Sequence, residues 1–344
     1  MLLKELSQAP GVSGNEEEVR RIIKRELEQS NLNYRTDTLG NLLVSKEGRN
    51  NQGLPRILLS AHMDEVGLMV TAIEENGNLR FKKVGGIDDR VLVSKAVSIG
   101  HQQIPGVIGS KAVHLQKPEE KKKNYEVEQL FIDIGVKRKS DAEKYVKLGD
   151  YITFDTPFTK LGEGVYGGKA FDDRAGCLLL LELLKCQELP PFYGAFTVQE
   201  EVGLRGAQVA GYSVNPEVAL SLETTTASDV PEMEEHQYVS SLGKGTVFSL
   251  KDASLVVDKD LLELLISTAQ TNQLPFQFRN FTGGGTDAGP FSLAKEGAKA
   301  AVVSLPCRYI HSPFSILYER DLTTTKQLLI EFIKSLEKNP YINY

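Results

Sequence analysis

The sequence predicts an α/β fold interrupted by a small β-rich insertion. Three observations predict it. In residues 1–67 a helix pattern is followed by a hairpin pattern and a short, wholly apolar run. Between 68 and 164 the texture changes to short strands broken by Gly, Asn and Pro turns. From 165 to 344 amphipathic helices again alternate with apolar runs of strand length. A texture that is left and then rejoined is that of one host domain carrying an insert in an exposed loop, with its core completed by the later segment.

The first helix is expected in SGNEEEVRRIIKRELEQSN, where Ser13 and Glu16 fit a capping box and Val19, Ile22, Ile23 and Leu27 recur at helical spacing. NLNYRTDTLGNLLVSKEG alternates like a hairpin, with Gly40 in the turn. RILLSAHMDEVG reads as a strand buried on both faces, the signature of a strand inside an α/β sheet. The insert follows, with strands in LMVTAIEENGNLRFKKVGGID, KAVSIG, QQIPGVIGS and DYITFD, and a short helix near SDAEKYVKLG. The second part of the host gives a helix in DDRAGCLLLLELLKCQEL and strands in FYGAFTVQE and EVALSLE. It continues with a helix in KDLLELLISTAQTNQ, a strand in KAAVVSLP and a closing helix in RDLTTTKQLLIEFIKSLEK. No internal repeat is visible.

Composition narrows the function classes. At 344 residues, 41% hydrophobic and 25% charged, the chain is globular rather than wholly disordered. A net charge of -6 gives no electrostatic footprint for nucleic acid or an anionic membrane. The three cysteines, Cys177, Cys186 and Cys307, are odd in number and lack metal-ligand spacing, which points to a reducing compartment. With no signal-like apolar core at the start and no run of about 18 apolar residues, a cytoplasmic protein is expected.

Ligands of an open α/β sheet bind outside the carboxyl ends of its strands. Those positions carry a short set of residues. His62 and Asp64 end ILLSAHMD, Asp172 and Asp173 open the helix after GGKAF, Glu200 and Glu201 end FTVQE, Glu223 ends VALSLE, and His311 follows SLPCRYIHSP. Each alone has an ordinary reading: a helix cap for the aspartates, a solvated turn for the glutamates, a surface imidazole for His311. Together they place metal-competent groups at five separate points of one sheet edge. Imidazole with carboxylate suits zinc first, with cobalt and manganese next, and is too rich in nitrogen for calcium. Two histidines and three carboxylates exceed the three protein ligands of one catalytic zinc. Shared through one bridging carboxylate, they serve two ions, which is hydrolase chemistry.

The ordered blocks SAHMDEVG, GVIGSKAVHL, KAFDDRAG, VQEEVGLRGA, GGGTDAG and LPCRYIHSP resemble the glutamyl aminopeptidase family of co-catalytic metallopeptidases, whose members build tetrahedral (TET) dodecamers. The resemblance runs essentially end to end. It implies an α/β/α aminopeptidase-type catalytic domain with a mixed sheet, in residues 1–67 and 165–344. It further implies a PDZ-like or barrel-like dimerisation domain in 68–164. By motif position, His62 and Glu223 would bind one ion, Glu201 and His311 the other, and Asp172 would bridge them. Glu200 would be the general base, and Asp64 the carboxylate that fixes the His62 ring. The resemblance also implies a cis peptide after Asp172. One block departs from the pattern: SLETTTASD carries Glu223 where the family commonly has Asp, and Asp229 is the other carboxylate nearby.

The activity so implied is removal of N-terminal residues from short peptides with a free amine, in a homo-oligomer that is at least a dimer. The preferred first residue stays open among acidic, aliphatic and basic, with Arg279 and Lys244 as candidate partners for an acidic one. Three other readings stand beside it: a deacylase or carboxypeptidase using the same ions, a metal-free glycoside hydrolase, and a scaffold without activity. Adjacent glutamates suit the glycosidase poorly, since its two carboxyl groups must flank a bond about 5 to 9 Å apart.

Overall fold

The computed structural model describes residues 1–46 and 55–336. The ends of the hairpin pattern (47–48) and of the closing helix pattern (337–338) lie outside them. In chain order the host begins with α1 (Leu2–Gln8), α2 (Glu17–Gln29), β1 (Asn33–Thr36), β2 (Leu42–Lys46) and β3 (Ile57–His62). The insert supplies β4 (Gly67–Ile73), β5 (Leu79–Val84), β6 (Ala96–Ile99), β7 (Ile104–Gly109), β8 (Phe131–Asp133), α3 (Lys139–Ala142) and β9 (Tyr151–Phe154). The host resumes with β10 (Thr159–Gly162), β11 (Val165–Gly168), α4 (Phe171–Lys185), β12 (Phe192–Thr197), α5 (Arg205–Val214) and β13 (Val218–Thr226). It ends with β14 (Thr246–Phe248), α6 (Lys259–Thr271), β15 (Phe276–Phe278), α7 (Ala288–Ser292), β16 (Lys299–Arg308), β17 (Ser315–Tyr318) and α8 (Glu319–Leu336).

Among the described residues the host strands form one mixed, 11-stranded sheet. Its centre is parallel, in the order β12, β3, β13, β16. These strands are parallel because a helix-bearing crossover separates each from the next, and they read as continuous apolar runs because both faces are covered. Every residue of β3 is buried. The α4 helix, apolar almost all round, packs on β3 and β13, with α1, α2 and α8 gathered against it. A second group, α5 and α7, packs on β12, β13 and β16. No helix among the described residues is long and apolar enough to cross a membrane.

The insert closes into a six-stranded antiparallel barrel, β4-β5-β8-β7-β6-β9, around its own core of Leu68, Val70, Ile99, Ile132 and Ile152. Of the two forms expected, it is the barrel. Its strands end at Phe154, whereas β10 pairs with β11 in the large sheet, so the boundary expected at 164 falls inside a hairpin of the host. All four residues of β10 are exposed, which left no apolar pattern to say which sheet it joins.

Register then fixes the site. Thr197 of β12 sits opposite His62 of β3, and Ser221 of β13 opposite Ser60. Two residues beyond Ser221, Glu223 reaches the level of His62 from the neighbouring strand. It lies within β13 rather than at its end, because the strand runs on to Thr226.

Candidate metal centre

His62 leaves the last position of β3 with its ring buried between two sets of partners. Nδ1 faces Asp64, 3.6 Å from Oδ1 and 3.1 Å from the Asp64 carbonyl oxygen. Nε2 faces the opposite way, 3.4 Å from Asp172 Oδ1 and 3.7 Å from Glu223 Oε2. On the far side of Asp172, Oδ2 lies 3.3 Å from His311 Nε2, which is itself 3.4 Å from Glu201 Oε2. One aspartate thus stands between two imidazoles, each with a further glutamate.

The two aspartates of the FDDRAG block separate clearly. Asp172 and Asp173 are joined by a cis peptide and have non-helical dihedrals, so α4 proper begins after them. Asp173 turns inward, where Oδ1 accepts the Gly176 amide at 3.0 Å and Oδ2 the His62 amide at 3.2 Å. Asp172 is left to face the histidines.

The two glutamates differ in their partners. Both follow the end of β12 in a turn whose amides are held by Asp64: Glu200 N–H donates to Oδ1 at 3.0 Å and Glu201 N–H to Oδ2 at 3.1 Å. The Glu201 carboxylate reaches His311, both glutamates lie within 4.8 Å of His62, and both line a cavity of about 610 Å³. Just past this turn, Gly206 is required by close packing, since a Cβ there would stand 2.3 Å from the Val198 carbonyl oxygen.

Burial and mutual charge shape the titration of the group. Burial opposes a charged His62, yet hydrogen bonds to Asp172 and Asp64 carry its pKa well above the usual imidazole value. Burial likewise works against His311, but the Asp172 hydrogen bond and the Glu201 charge raise it to about 9. Burial lifts Glu201 to about 7 despite His311, and raises Glu200 and Glu223. Burial also resists ionisation of Asp172, but its two histidine hydrogen bonds keep its pKa low.

The residues fit a divalent ion. Ligands about 2.0–2.1 Å from a tetrahedral ion lie about 3.3–3.4 Å from one another, close to the 3.3 to 3.7 Å separations seen here. Glu223 Oε1 is buried without a hydrogen-bond partner, an expense that a positive ion beside it removes. Asp229, the rival to Glu223, is engaged elsewhere, in a two-pronged pair with Arg308 at 2.6 and 2.8 Å.

The cavity continues away from the carboxylates past Thr226, Ser249, Arg279 and Phe281 and along the glycines 283–285. The Arg279 guanidinium lies over the Phe281 ring at 5.5 Å and donates to the Gly283 carbonyl oxygen, while its Nε is buried without a partner. Lys244 does not line the cavity. Sequence reasoning missed Asp287, which is buried beneath the site with Oδ2 accepting from Thr197 and Oδ1 unpartnered. Burial, partly offset by that hydrogen bond, raises it to about 6. It stands inside the GGGTDAG block, but nothing local marks it as buried.

The family model described as M42 glutamyl aminopeptidase matches residues 40–328, spanning every element that supplies these side chains. The chain belongs to the M42 glutamyl aminopeptidase family. A second model, AMPT, matches residues 1–23 of this M42 chain. The glutamyl aminopeptidase of Lactococcus lactis is 30% identical to it, over 97% of this chain and 95% of that protein. Among solved structures, a TET aminopeptidase from a marine sediment archaeon of the Thaumarchaeota superposes with a TM-score of 0.92 at 37% identity, covering 98% of this chain and 97% of the other. The TET1 peptidase of Pyrococcus horikoshii, described as assembling into a tetrahedron or a large octahedral shell, gives 0.84 at 34%, over 96% and 98%. This M42 member is accordingly a peptide hydrolase of the aminopeptidase type, with a residue set compatible with divalent metal.

Proposed function

We propose that the chain is a dinuclear metal-dependent aminopeptidase acting on short peptides. The observation that carries this reading is the placement of Asp172 between His62 and His311, at 3.4 and 3.3 Å. His62 and Glu223 would hold one ion, His311 and Glu201 the other, and Asp172 both; zinc is the first choice, with cobalt or manganese also suited. Two such ions polarise a carbonyl and lower the pKa of water enough for attack near neutral pH.

The protein's own groups do the rest. Asp64 holds the Nδ1 side of His62, which keeps Nε2 turned to Asp172 and Glu223. Its hold on the amides of residues 200 and 201 fixes the turn that carries both carboxylates. Glu200 is the general base, taking a proton from the attacking water and delivering it to the leaving amine. In the metal-free protein burial raises its pKa above the usual glutamate value. The carboxylate-rich floor receives the free α-amine of the substrate.

For the first side chain we propose an acidic preference set by Arg279. The half-buried guanidinium faces the cavity with Nε unpartnered, and a basic side chain would meet it with like charge. The homo-oligomeric state of the TET1 relative supports a homo-oligomer here, built at least as a dimer through the barrel and extending to a tetrahedral dodecamer. The barrel segment leaves Val113, Leu115 and Leu148 about two-thirds exposed, as an interface needs. The free thiols Cys177, Cys186 and Cys307 support a cytoplasmic location.

The test is hydrolysis of Glu, Asp, Leu and Lys p-nitroanilides with N-acetylated controls, after chelation and again after adding zinc or cobalt. Metal-restored cleavage of the free-amine substrates alone is expected. Equal cleavage of blocked substrates would favour a deacylase instead.

A further inference from the structure

The sequence pairs Ser13 and Glu16 as a capping box for α2, but neither side chain caps it. The helix begins after Glu16 with no side-chain cap bond. Ser13 donates to a loop of the metal centre, and Glu16 accepts one amide from its own segment and one from such a loop. The segment from Gly11 to Ser13 lies as a short parallel strand beside residues 64–66. Val12 bridges Glu65, the Glu65 amide donates to Gly11 O at 2.9 Å, and the Ser13 amide to Glu65 O at 3.3 Å. Glu65 is locked in turn by Lys169 Nζ at 2.6 and 2.7 Å and accepts the Gly11 amide at 3.0 Å.

This strand delivers the Ser13 hydroxyl to Asp64 Oδ2 at 2.6 Å. Asp64 is wholly buried, and its two oxygens then face four groups: Ser13, His62 Nδ1 and the amides of Glu200 and Glu201. Three residues on, Glu16 Oε1 accepts the Gly14 amide at 2.6 Å and the Gln199 amide at 3.2 Å. Gln199 has a left-handed backbone, φ 55, at the entry to the 200–201 turn.

We propose that Ser13 and Glu16 are positioning residues, which hold Asp64 and the 199–201 turn in register with the metal ligands from the N-terminal segment. Ser13 acts on His62 and on both glutamates through one carboxylate; Glu16 acts on the turn alone. The inference rests on the functional reading above, because it concerns residues aimed at that centre.

The experiment compares Ser13→Ala, Ser13→Thr, Glu16→Ala and Glu16→Gln with the parent chain. Zinc affinity of the chelator-stripped protein is measured by competition with a chromophoric chelator. Thermal unfolding, kcat and KM on the best p-nitroanilide are measured alongside. Ser13→Ala is expected to weaken zinc binding and lower kcat, each by about 10-fold or more, with KM nearly unchanged. Ser13→Thr, which keeps the hydroxyl, restores both. Glu16→Ala lowers kcat while Glu16→Gln, which keeps the acceptor oxygen, does not. The Glu16 pair is an independent anchor, so the proposal remains testable even where Ser13→Ala does not fold. Folded Ser13→Ala and Glu16→Ala proteins with parental zinc affinity and kcat would overturn it. Zinc affinity needs no turnover. A parent chain that cleaves no aminoacyl substrate, with Ser13→Ala still weakening zinc, would sink the functional reading and leave the positioning role standing.

Discussion

The carboxylate of Asp64 accepts the backbone amide of Glu200 at 3.0 Å. The residue that faces the outer nitrogen of His62 therefore also sets the position of the glutamate on the cavity floor. Ring and base share one anchor. Asp64→Asn puts an NH₂ where one of these donors needs an acceptor. Zinc affinity is expected to fall about 10- to 100-fold, as for other groups that orient metal ligands. Calorimetric titration of zinc into the stripped variant reads this; parental affinity would contradict the shared-anchor account.

Adjacent glutamates should give unequal mutants. Glu200→Gln keeps the metal ligands intact and is expected to retain parental metal content while kcat falls by about 10²- to 10⁴-fold, the range for losing a general base. Glu201→Ala removes the carboxylate 3.4 Å from His311 and should lose metal first. Elemental analysis beside steady-state kinetics checks both. Equal metal loss in the two variants would refute the division of roles.

Arg279→Ala should change preference more than rate. A charge-assisted hydrogen bond of about 1.5–3 kcal/mol corresponds to about a 10- to 150-fold drop in kcat/KM for Glu-p-nitroanilide relative to Leu-p-nitroanilide. Arg279→Glu should move the preference toward Lys. An unchanged Glu:Leu ratio in the alanine variant would remove Arg279 from the pocket.

Metal binding should release protons. In the metal-free protein Glu201 is raised to about 7 and His311 to about 9, so at neutral pH His311 holds a proton and Glu201 holds one about half the time, and a bound ion must displace both. Because these pKa values are raised, the cost of displacement shrinks as pH rises. Apparent zinc affinity is expected to climb between about pH 6 and 9. Calorimetry in two buffers of different ionisation enthalpy measures the release, and a pH-independent affinity with no release would contradict it.

The parallel core was readable because β3 and β13 are buried on both faces and so appear as unbroken apolar runs. The same rule misplaced the end of β13. The strand was expected to end at Glu223, yet Glu223, Thr224 and Thr225 are buried and paired with β16 as far as Thr226. His62, Asp64, Asp172, Asp173, Glu200, Glu201, Glu223 and His311 could be collected by position because strand ends converge in an α/β sheet, whereas the division of ligands from neighbours came only from the resemblance. Ser13 and Glu16 could not be assigned correctly. Their three-residue spacing satisfies a local capping rule, whereas their true partners, Asp64 and Gln199, are 51 and 183 residues away. Asp287 was missed for the same reason, since its partner Thr197 is 90 residues distant.

The most direct test is the number of tightly bound zinc ions per chain in the parent protein and in Asp172→Ala, by equilibrium dialysis and elemental analysis. Two ions in the parent, and the loss of both tight sites on removing the carboxylate that lies 3.4 and 3.3 Å from the two histidines, is the predicted result. A single ion in the parent, or two retained in Asp172→Ala, would contradict the dinuclear centre.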